Sequence, residues 1–268
     1  MEIIANKYIL REFIGKGKFG SVYKGEKKNG ETLVAIKFEA KTAEIPLLKK
    51  ETRILEYLAR NGLRDRIPIV FWYGLYGSEY ICVVMSYLGE TSLSNLDLSL
   101  EKLFDWFQCA ISILERIHFY GVIHRDLKPG HFMFYREKWV LIDFGFAVFV
   151  SEEGDNSEKK KKIEYILGTP NYISVNVHNG YIPGKKDDMI SLGYIFLEKY
   201  LGGILPWTTL PLVDNLDSFP INHLLHPNNQ MRKSMKEPDV FFETIADIPG
   251  LLTYMKKYYL KHGAERST

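Results

Sequence analysis

The sequence predicts an α+β fold, in which a small antiparallel sheet with one main helix is followed by a larger, mostly α-helical region. Short alternating strands with interspersed glycines occupy residues 8–38, and this pattern is typical of antiparallel sheets. The alternation is lost at residues 86–89, and long amphipathic segments follow. We interpret this change as a hinge between a sheet-rich lobe, residues 1–86, and a helical lobe, residues 87–268.

Length and composition indicate an ordinary globular protein. The 268 residues are 46% hydrophobic, enough for a packed core in one large or two small domains. A formal net charge of +2 gives no reason to expect nucleic acid binding, and no apolar run approaches the roughly eighteen residues of a membrane helix. Cys82 and Cys109 lie in apolar sequence and are interpreted as small core residues. We expect a monomer inside the cell, in the cytoplasm or nucleus, without membrane or nucleic acid partners.

The sheet region contains "IGKGKFGSVY", in which Gly15, Gly17 and Gly20 have G-x-G-x-x-G spacing. Glycines allow a hairpin to lie close over phosphates and to offer backbone N–H groups, although a tight turn without a ligand produces the same spacing. A dinucleotide-binding turn is a further alternative, but it requires a helix directly after the glycines. Here the chain continues as a strand, a turn at residues 28–30 and another strand, so the context excludes that alternative.

The segment "VAIK" ends with Lys37, which lies in an otherwise apolar strand, and an unpaired lysine that faces a core is costly. We therefore expect it to have a carboxylate or phosphate partner. Residues 45–59 have helical apolar spacing, and on this helix Glu51 can point toward the sheet as that partner. The alternative places Glu51 on a solvated face with three basic neighbours, Lys49, Lys50 and Arg53.

Residues 124–145, "HRDLKPGHFMFYREKWVLIDFG", place Asp126 and Asp143 on either side of a short apolar hairpin. In this arrangement one carboxylate can face a hydroxyl nucleophile while the other holds a metal ion. Lys128 lies beside the first carboxylate and can neutralise charge on a transferring phosphate. The stretch therefore predicts phosphoryl transfer.

Amphipathic helices are predicted before and after this stretch. The first covers residues 99–121, and its His118 is assigned no functional role. A later apolar helix, residues 185–203, begins with Asp187 and Asp188, whose carboxylates are expected to cap its N-terminus. We also expect Asp188 to brace the loop that follows the first helix.

The remaining segments are more polar. Residues 146–174 have a polar middle of mixed charge and are predicted to form a mobile loop. Within it, Lys159–Lys162 is interpreted as a solvated run or as a contact for an acidic substrate. Further helices are expected around residues 220–236 and 241–260. The first of these carries a basic patch formed by Arg232, Lys233 and Lys236.

Taken in order, these motifs resemble those of a eukaryotic protein kinase over nearly the whole chain. The segments "GTPNYISVNVHNG" at 168–180, "KKDDMISLGY" at 185–194 and "LPW" at 205–207 are similar to the casein kinase I group of serine/threonine kinases. The resemblance implies one bilobal kinase domain over residues 1–268. It also implies that ATP and Mg²⁺ are used to phosphorylate serine and threonine hydroxyls of protein substrates.

Residue by residue, the resemblance implies four catalytic side chains and one metal ligand. Lys37 would contact the α- and β-phosphates of ATP and be held by Glu51, while Asp143 would bind Mg²⁺. Asp126 would accept or orient the substrate hydroxyl, and Lys128 would steady the γ-phosphate.

The resemblance also implies where the nucleotide lies. Met85 stands at the gatekeeper position, and Leu88 at the hinge position that offers backbone hydrogen bonds to adenine. Met133 and Ile142 would pack beneath the adenine ring. The full set of nucleotide-binding residues is Ile14, Gly15, Lys16, Gly17, Gly20, Val22, Ala35, Lys37, Met85, Leu88, Met133 and Ile142.

His131 is the main departure from the family pattern, because kinases have at this position an asparagine that holds a second Mg²⁺. A neutral imidazole is a poorer partner for this oxygen-seeking cation than an amide oxygen. We expect a weakened second metal site, with impaired or one-metal catalysis or a preference for Mn²⁺. The alternative is a pseudokinase that binds a nucleotide or a partner and transfers nothing.

Two further departures concern the substrate and the end of the chain. Asn171 stands where casein kinase I members have an arginine that helps to bind a phosphate already present on the substrate. Preference for prephosphorylated substrates is therefore left open, with Arg232, Lys233 and Lys236 as an alternative source of charge. The sequence ends soon after "LLTYMKKYYL", so we expect the last helical segment of the usual large lobe to be missing.

Overall fold

The computed structural model describes residues 2–17, 20–28, 30, 32–150, 163–208 and 222–262. Within these ranges the chain divides into two compact units, each made from two stretches of sequence. The first unit combines Met1–Leu96 with Gly130–Phe149, and the second combines Asp97–Pro129 with Val150–Thr268. The predicted lysine run and the middle of the predicted mobile loop, residues 151–162, lie outside the described residues.

The strands are β1 (Ile3–Ile4), β2 (Tyr8–Gly17), β3 (Gly20–Lys27), β4 (Leu33–Ala40), β5 (Val70–Tyr76), β6 (Tyr80–Ser86), β7 (Val122–Ile123), β8 (Phe132–Tyr135), β9 (Lys138–Leu141) and β10 (Val148–Phe149). The helices are α1 (Leu48–Leu58), α2 (Leu100–Phe119), α3 (Val175–His178), α4 (Lys185–Tyr200), α5 (Pro227–Lys236), α6 (Pro238–Thr244) and α7 (Pro249–His262). None of the helices in the described ranges is long and apolar enough to cross a membrane.

A six-stranded antiparallel sheet in the order β1-β2-β3-β4-β6-β5 forms the body of the first unit. Successive side chains of a strand point to opposite faces, so Val34, Ile36 and Phe38 of β4 enter a core on one face. Lys37 lies between them in sequence and faces the other side, where α1 packs through Leu48. Strand alternation thus directs Lys37 toward α1.

The short hairpin predicted between the two aspartates is formed by β8 and β9, with Phe132 opposite Leu141. Its two turn residues, Arg136 and Glu137, both have positive φ, 48° and 61°. A two-residue turn in which both residues have positive φ suits the right-handed twist of the flanking strands. The hairpin belongs to the first unit together with the sheet.

Helices α2, α4 and α7 form the core of the second unit. The rings of Phe107 on α2 and Phe196 on α4 stack with their centroids 4.3 Å apart, and Tyr258 on α7 lies 5.0 Å from Phe107. Ser99 caps α2 by accepting a hydrogen bond from the backbone N–H of Lys102. The sheet of one unit and the helices of the other confirm the predicted α+β fold.

Two sequence predictions about the later elements need correction. The helix expected around residues 220–236 begins at Pro227, and residues 209–221 lie outside the described part of the chain. The helix expected over 241–260 is instead two helices, α6 and α7, with Pro249 at the start of α7. Proline has no backbone N–H, so it favours the first turn of a helix and interrupts a continuous one.

The two cysteines differ from each other. Cys82 is fully buried in the sheet core, as predicted, and burial raises the pKa of its thiol to about 12. Cys109 on α2 is only partly buried, so its assignment to the core is wrong.

Candidate active site

Lys37, Glu51 and Asp143 meet in the first unit. The Lys37 Nζ atom lies 2.7 Å from Glu51 Oε2 and 3.2 Å from Asp143 Oδ1. Glu51 is 3% exposed, because the apolar residues of α1 that pack on the sheet carry it on the same helical face. The prediction that Glu51 pairs with Lys37 is confirmed, and the alternative of a solvated face is wrong.

The three charged groups shift one another's pKa values. Burial opposes the charge of Lys37, but Glu51 and Asp143 together hold its pKa above the usual value. Burial also raises the pKa of Glu51, and the ion pair with Lys37 acts in the opposite direction. For Asp143, the hydrogen bond from His131 and the charge of Lys37 outweigh burial and hold the pKa well below its usual range. Lys37 is therefore protonated and Asp143 ionised at neutral pH.

Both carboxylate oxygens of Asp143 have a nitrogen neighbour. Oδ1 faces Lys37, and Oδ2 lies 3.3 Å from Nε2 of His131, which is 5% exposed. The backbone of Asp143 has φ 62°, an uncommon conformation for a residue with a side chain. Its side chain is still 40% exposed, so a ligand can reach it.

Few ionisable ligands are available for a metal ion. In the described part of the chain, no three His, Cys, Asp or Glu side chains form a metal-binding cluster. Mg²⁺ is often held by one or two carboxylates together with substrate phosphates. Asp143 fits this role as an ionised, accessible carboxylate, whereas His131 supplies a nitrogen that donates a hydrogen bond to Asp143.

The glycine-rich strands have a structural explanation at one position. A Cβ atom on Gly20 would lie 2.0 Å from the carbonyl oxygen of Phe38 on the neighbouring strand, so the pairing of β3 with β4 requires glycine there. A Cβ atom on Gly15 would meet nothing within 4 Å. Residues 18–19 lie outside the described residues, and the phosphate-binding role of the glycines stays a prediction.

The residues expected around the nucleotide all belong to the first unit. In the sheet register Val22 lies opposite Lys37, and Ala35 lies opposite Met85. Met133 is 9% exposed at the start of the β8–β9 hairpin. The other members lie on β2, just after β6, or just after β9: Ile14, Gly15, Lys16, Gly17, Leu88 and Ile142.

Asp126 belongs to the second unit, with two neighbours. Its Oδ1 atom accepts a hydrogen bond of 2.7 Å from the hydroxyl of Thr169, and its Oδ2 atom lies 3.7 Å from Nζ of Lys128. The sequence analysis did not identify Thr169. The glycine directly before it, Gly168, was the available sequence signal for a special position. In the structure its φ is 102°, and a Cβ atom there would lie 2.8 Å from the carbonyl oxygen of Arg125, so the position requires glycine.

The loop that carries Asp126 is braced by Asp188, as predicted. The carboxylate of Asp188 accepts hydrogen bonds of 2.8 Å from the backbone N–H groups of both His124 and Arg125. Nε2 of His118 lies 2.9 Å from the same carboxylate, so this histidine has a contact that the sequence analysis did not assign. The brace holds Arg125 at φ 70°.

The two aspartates at the start of α4 have different roles. Asp187 accepts a hydrogen bond of 2.8 Å from the backbone N–H of Gly184, the residue that caps the helix, and its predicted capping role is confirmed. Asp188 turns its oxygens to the loop of His124 instead, so the prediction that it also caps the helix is wrong.

The basic patch predicted on α5 is not a surface patch. Arg232 is fully buried and Lys236 is 2% exposed, because this face of the amphipathic helix turns inward. Lys236 Nζ donates to the carbonyl oxygens of Pro170 and Ile173, and Arg232 Nε lies 3.3 Å from Oδ1 of Asn171. These two cations are therefore not available as surface charge for a substrate phosphate.

Comparison with known proteins gives one family. The model of the protein kinase domain matches residues 8–240. The chain is 30% identical over 237 residues to casein kinase I homolog 2 of Schizosaccharomyces pombe, covering 80% of this chain and 51% of that protein. It is 32% identical over 241 residues to casein kinase I homolog 2 of Saccharomyces cerevisiae, covering 81% of this chain and 41% of that protein. The chain thus spans about half or less of the length of these curated relatives.

Proposed function

The chain belongs to the protein kinase family, and from this premise we propose that it transfers the γ-phosphate of ATP to serine and threonine hydroxyls of proteins, as casein kinase I does. The observation that carries the proposal is the contact of Lys37 with both Glu51 and Asp143. A protonated lysine between two carboxylates, one of them accessible, suits an anionic ligand that brings a metal ion with it.

Lys37 and Asp143 are proposed to hold the nucleotide. Lys37 would contact the α- and β-phosphates through its ammonium group, which Glu51 keeps in place. Asp143 supplies carboxylate oxygens for Mg²⁺. When bound, the nucleotide and its metal ion supply the transferable phosphoryl group and the charge that neutralises it.

Asp126 is proposed to orient the hydroxyl of the protein substrate and to accept its proton. The 2.7 Å hydrogen bond from Thr169 fixes one carboxylate oxygen, which leaves the other facing Lys128. Lys128, whose Nζ lies 3.7 Å from Asp126, is proposed to balance the charge of this carboxylate and to steady the γ-phosphate.

His131 is proposed to weaken one metal position without removing the other. Its imidazole lies against Oδ2 of Asp143, where it competes with a cation for that oxygen. We propose catalysis with one strongly held metal ion, or with Mn²⁺ in preference to Mg²⁺.

The same contact favours a second candidate function, a pseudokinase. If the imidazole of His131 takes the place of a metal ion beside Asp143, the chain binds a nucleotide without a metal ion and transfers nothing. Lys37 and Glu51 are equally suited to that function.

The substrates are proposed to be intracellular proteins with acidic segments. The inward position of Arg232 and Lys236, together with Asn171 in place of an arginine, argues against a strong preference for prephosphorylated sites. A casein dephosphorylated beforehand is therefore proposed to be phosphorylated about as well as untreated casein.

A transfer assay with labelled ATP, casein and either Mg²⁺ or Mn²⁺ tests the proposed activity. Asp126→Asn is expected to lower kcat on the order of a hundredfold or more. The matched control is Asp105→Asn, an exposed aspartate on α2, which is expected to leave the rate unchanged. Absence of transfer by the unaltered chain with both metals, or equal rates with and without the Asp126 carboxylate, contradicts the proposal.

A further inference from the structure

Thr169, the hydroxyl donor to Asp126, begins a tight turn that ends at Ile173. The carbonyl oxygen of Thr169 accepts hydrogen bonds from the backbone N–H groups of Tyr172 and Ile173, at 2.9 and 3.2 Å. The direction of the Thr169 side chain therefore depends on the shape of this turn. Its hydroxyl reaches Oδ1 of Asp126 at 2.7 Å, the usual length of an O–H···O hydrogen bond.

One amine contacts the turn near both of its ends. Nζ of Lys236, at the end of α5, donates to the carbonyl oxygen of Pro170 at 2.7 Å and to that of Ile173 at 2.9 Å. Pro170 directly follows Thr169, and Ile173 closes the turn. The side chain is 2% exposed, and the ring centroids of Tyr194 and Trp207 lie 5.1 and 5.2 Å from the same nitrogen.

The surroundings of Lys236 favour this contact. Aromatic faces and carbonyl oxygens are favourable neighbours for an amine, and full burial excludes water that would otherwise compete for the carbonyls. Burial and the charge of Arg232 hold the pKa of Lys236 well below its usual value. Two carbonyl acceptors need only two N–H groups, so the contact is available to the neutral amine as well as to the ammonium ion.

We propose that Lys236 is a positioning residue for phosphoryl transfer, because it joins the two ends of this turn and so keeps the Thr169 hydroxyl against Asp126. The catalytic part of this inference rests on the proposed kinase function. The geometric part, that Lys236 determines the shape of the turn, does not.

Other residues hold the middle of the turn, and at the Pro170 end the ring of His178, whose Nε2 lies 3.3 Å from Nζ of Lys236, also contacts the backbone. Trp207 Nε1 donates to the carbonyl oxygen of Asn171 at 2.8 Å, and the Tyr172 hydroxyl donates to the carboxylate of Glu198. If Lys236 only filled space, its removal would affect the rate equally with and without the Thr169 hydroxyl. If it acts through that hydroxyl, the two effects are coupled.

A double-mutant cycle separates these two possibilities. Lys236→Met keeps an unbranched side chain that is one atom shorter and removes its donors, and Thr169→Val removes the hydroxyl. We expect Lys236→Met alone to lower kcat by about tenfold to a hundredfold, as a small displacement of a catalytic group does, with the KM for ATP little changed. In the Thr169→Val background the same change is expected to lower kcat by no more than about threefold. Equal losses in both backgrounds overturn the proposal.

Hydrogen exchange provides a readout that does not need activity. In Lys236→Met the amides of Tyr172 and Ile173, which donate to Thr169, are expected to exchange at least about tenfold faster than in the unaltered chain. The control is Lys233→Met on the same helix, which is expected to leave both amides protected. Unchanged exchange in Lys236→Met overturns the proposal even if the chain transfers no phosphate.

Lys236→Gln covers the case in which the methionine variant fails to fold. Its amide group retains two N–H donors, so we expect intermediate exchange rates and a kcat between those of the unaltered chain and of Lys236→Met. Exchange and kcat in Lys236→Gln indistinguishable from those of the unaltered chain and of Lys233→Met would overturn the proposal. If the unaltered chain shows no transfer with Mg²⁺ or Mn²⁺, the proposed function fails, and the exchange rates alone decide the role of Lys236.

Discussion

At the scale of single residues, the charge of Asp143 depends on two neighbours that act against burial. Lys37 faces one of its oxygens and His131 the other, and their combined effect holds the pKa of Asp143 well below its usual range. A carboxylate that stays ionised is a good metal ligand. An imidazole on one of its oxygens, however, occupies space that a cation needs.

The variant His131→Asn is expected to raise kcat with Mg²⁺ by about tenfold, a change that corresponds to roughly 1.4 kcal/mol of activation free energy. The amide oxygen of asparagine is a hard ligand suited to Mg²⁺, and the competing N–H of the imidazole is removed. The measurement is kcat as a function of Mg²⁺ concentration at saturating ATP.

Lys138→Ala is the control for this prediction. Lys138 lies on β9 of the same hairpin, is half exposed, and pairs with Asp65 at 3.2 Å, so its removal is expected to leave the rate unchanged. A flat or lower rate in His131→Asn means that His131 does not limit metal binding.

At the scale of elements, strand β4 holds helix α1 at two points. Lys37 bonds to Glu51 in the first turn of the helix. Two residues further along the strand, and therefore on the same face, Glu39 accepts hydrogen bonds of 2.7 and 2.9 Å from the backbone N–H groups of Leu47 and Leu48. A strand residue thus satisfies N–H groups at the start of the helix, which have no partner within it.

Removal of this contact by Glu39→Ala is expected to lower the free energy of unfolding by about 1–3 kcal/mol, because two buried N–H groups lose their acceptor. Urea unfolding measures the loss. Glu44→Ala, an exposed glutamate in the connection between β4 and α1, is the control and is expected to stay within about 0.5 kcal/mol of the unaltered chain. A loss no larger than that of the control shows that Glu39 does not hold the helix.

The elements that sequence periodicity predicted well are those with a single buried face. Alternation in β4 and the apolar spacing of α1 indicated the Lys37–Glu51 pair without any structure. The same reasoning failed for α5, because the sequence does not show whether a basic side chain contacts water or buried carbonyl oxygens. Lys236 and Arg232 have the sequence pattern of a surface patch and lie inside.

At the scale of the whole molecule, the proposed roles divide between the two units. The first unit contains Lys37, Glu51 and Asp143, which are proposed to hold the nucleotide and its metal ion. The second contains Asp126 with Thr169 and Lys128, which are proposed to act on the substrate hydroxyl. Nucleotide binding and phosphoryl transfer can therefore be measured separately.

Thermal unfolding with ATP, in the presence and absence of Mg²⁺, addresses binding. At a nucleotide concentration of a hundred times Kd, the stabilisation is about 2.7 kcal/mol, which corresponds to a rise in Tm of roughly 5–10 °C for a chain of this size. For a kinase we expect this rise only with the metal ion, because Asp143 is proposed to hold the nucleotide through it.

Lys37→Met is the control for thermal unfolding and is expected to lose most of the nucleotide-dependent rise. An equal rise with ATP in the presence of a chelator, combined with absent transfer, favours the pseudokinase. In that case the imidazole of His131 takes the place proposed for the metal ion beside Asp143.

The sequence by itself determined the fold class, the family and the identity of the charged residues, because these depend on periodicity and on the order and spacing of motifs along the chain. Only the tertiary structure decided which groups meet across long stretches of sequence: Thr169 with Asp126, His118 with Asp188, and Lys236 with the turn after Thr169. The physical reason is that such contacts depend on which buried acceptor each donor reaches after the chain has packed. Local sequence pattern specifies the face on which a side chain lies, but it does not specify which residue that side chain contacts.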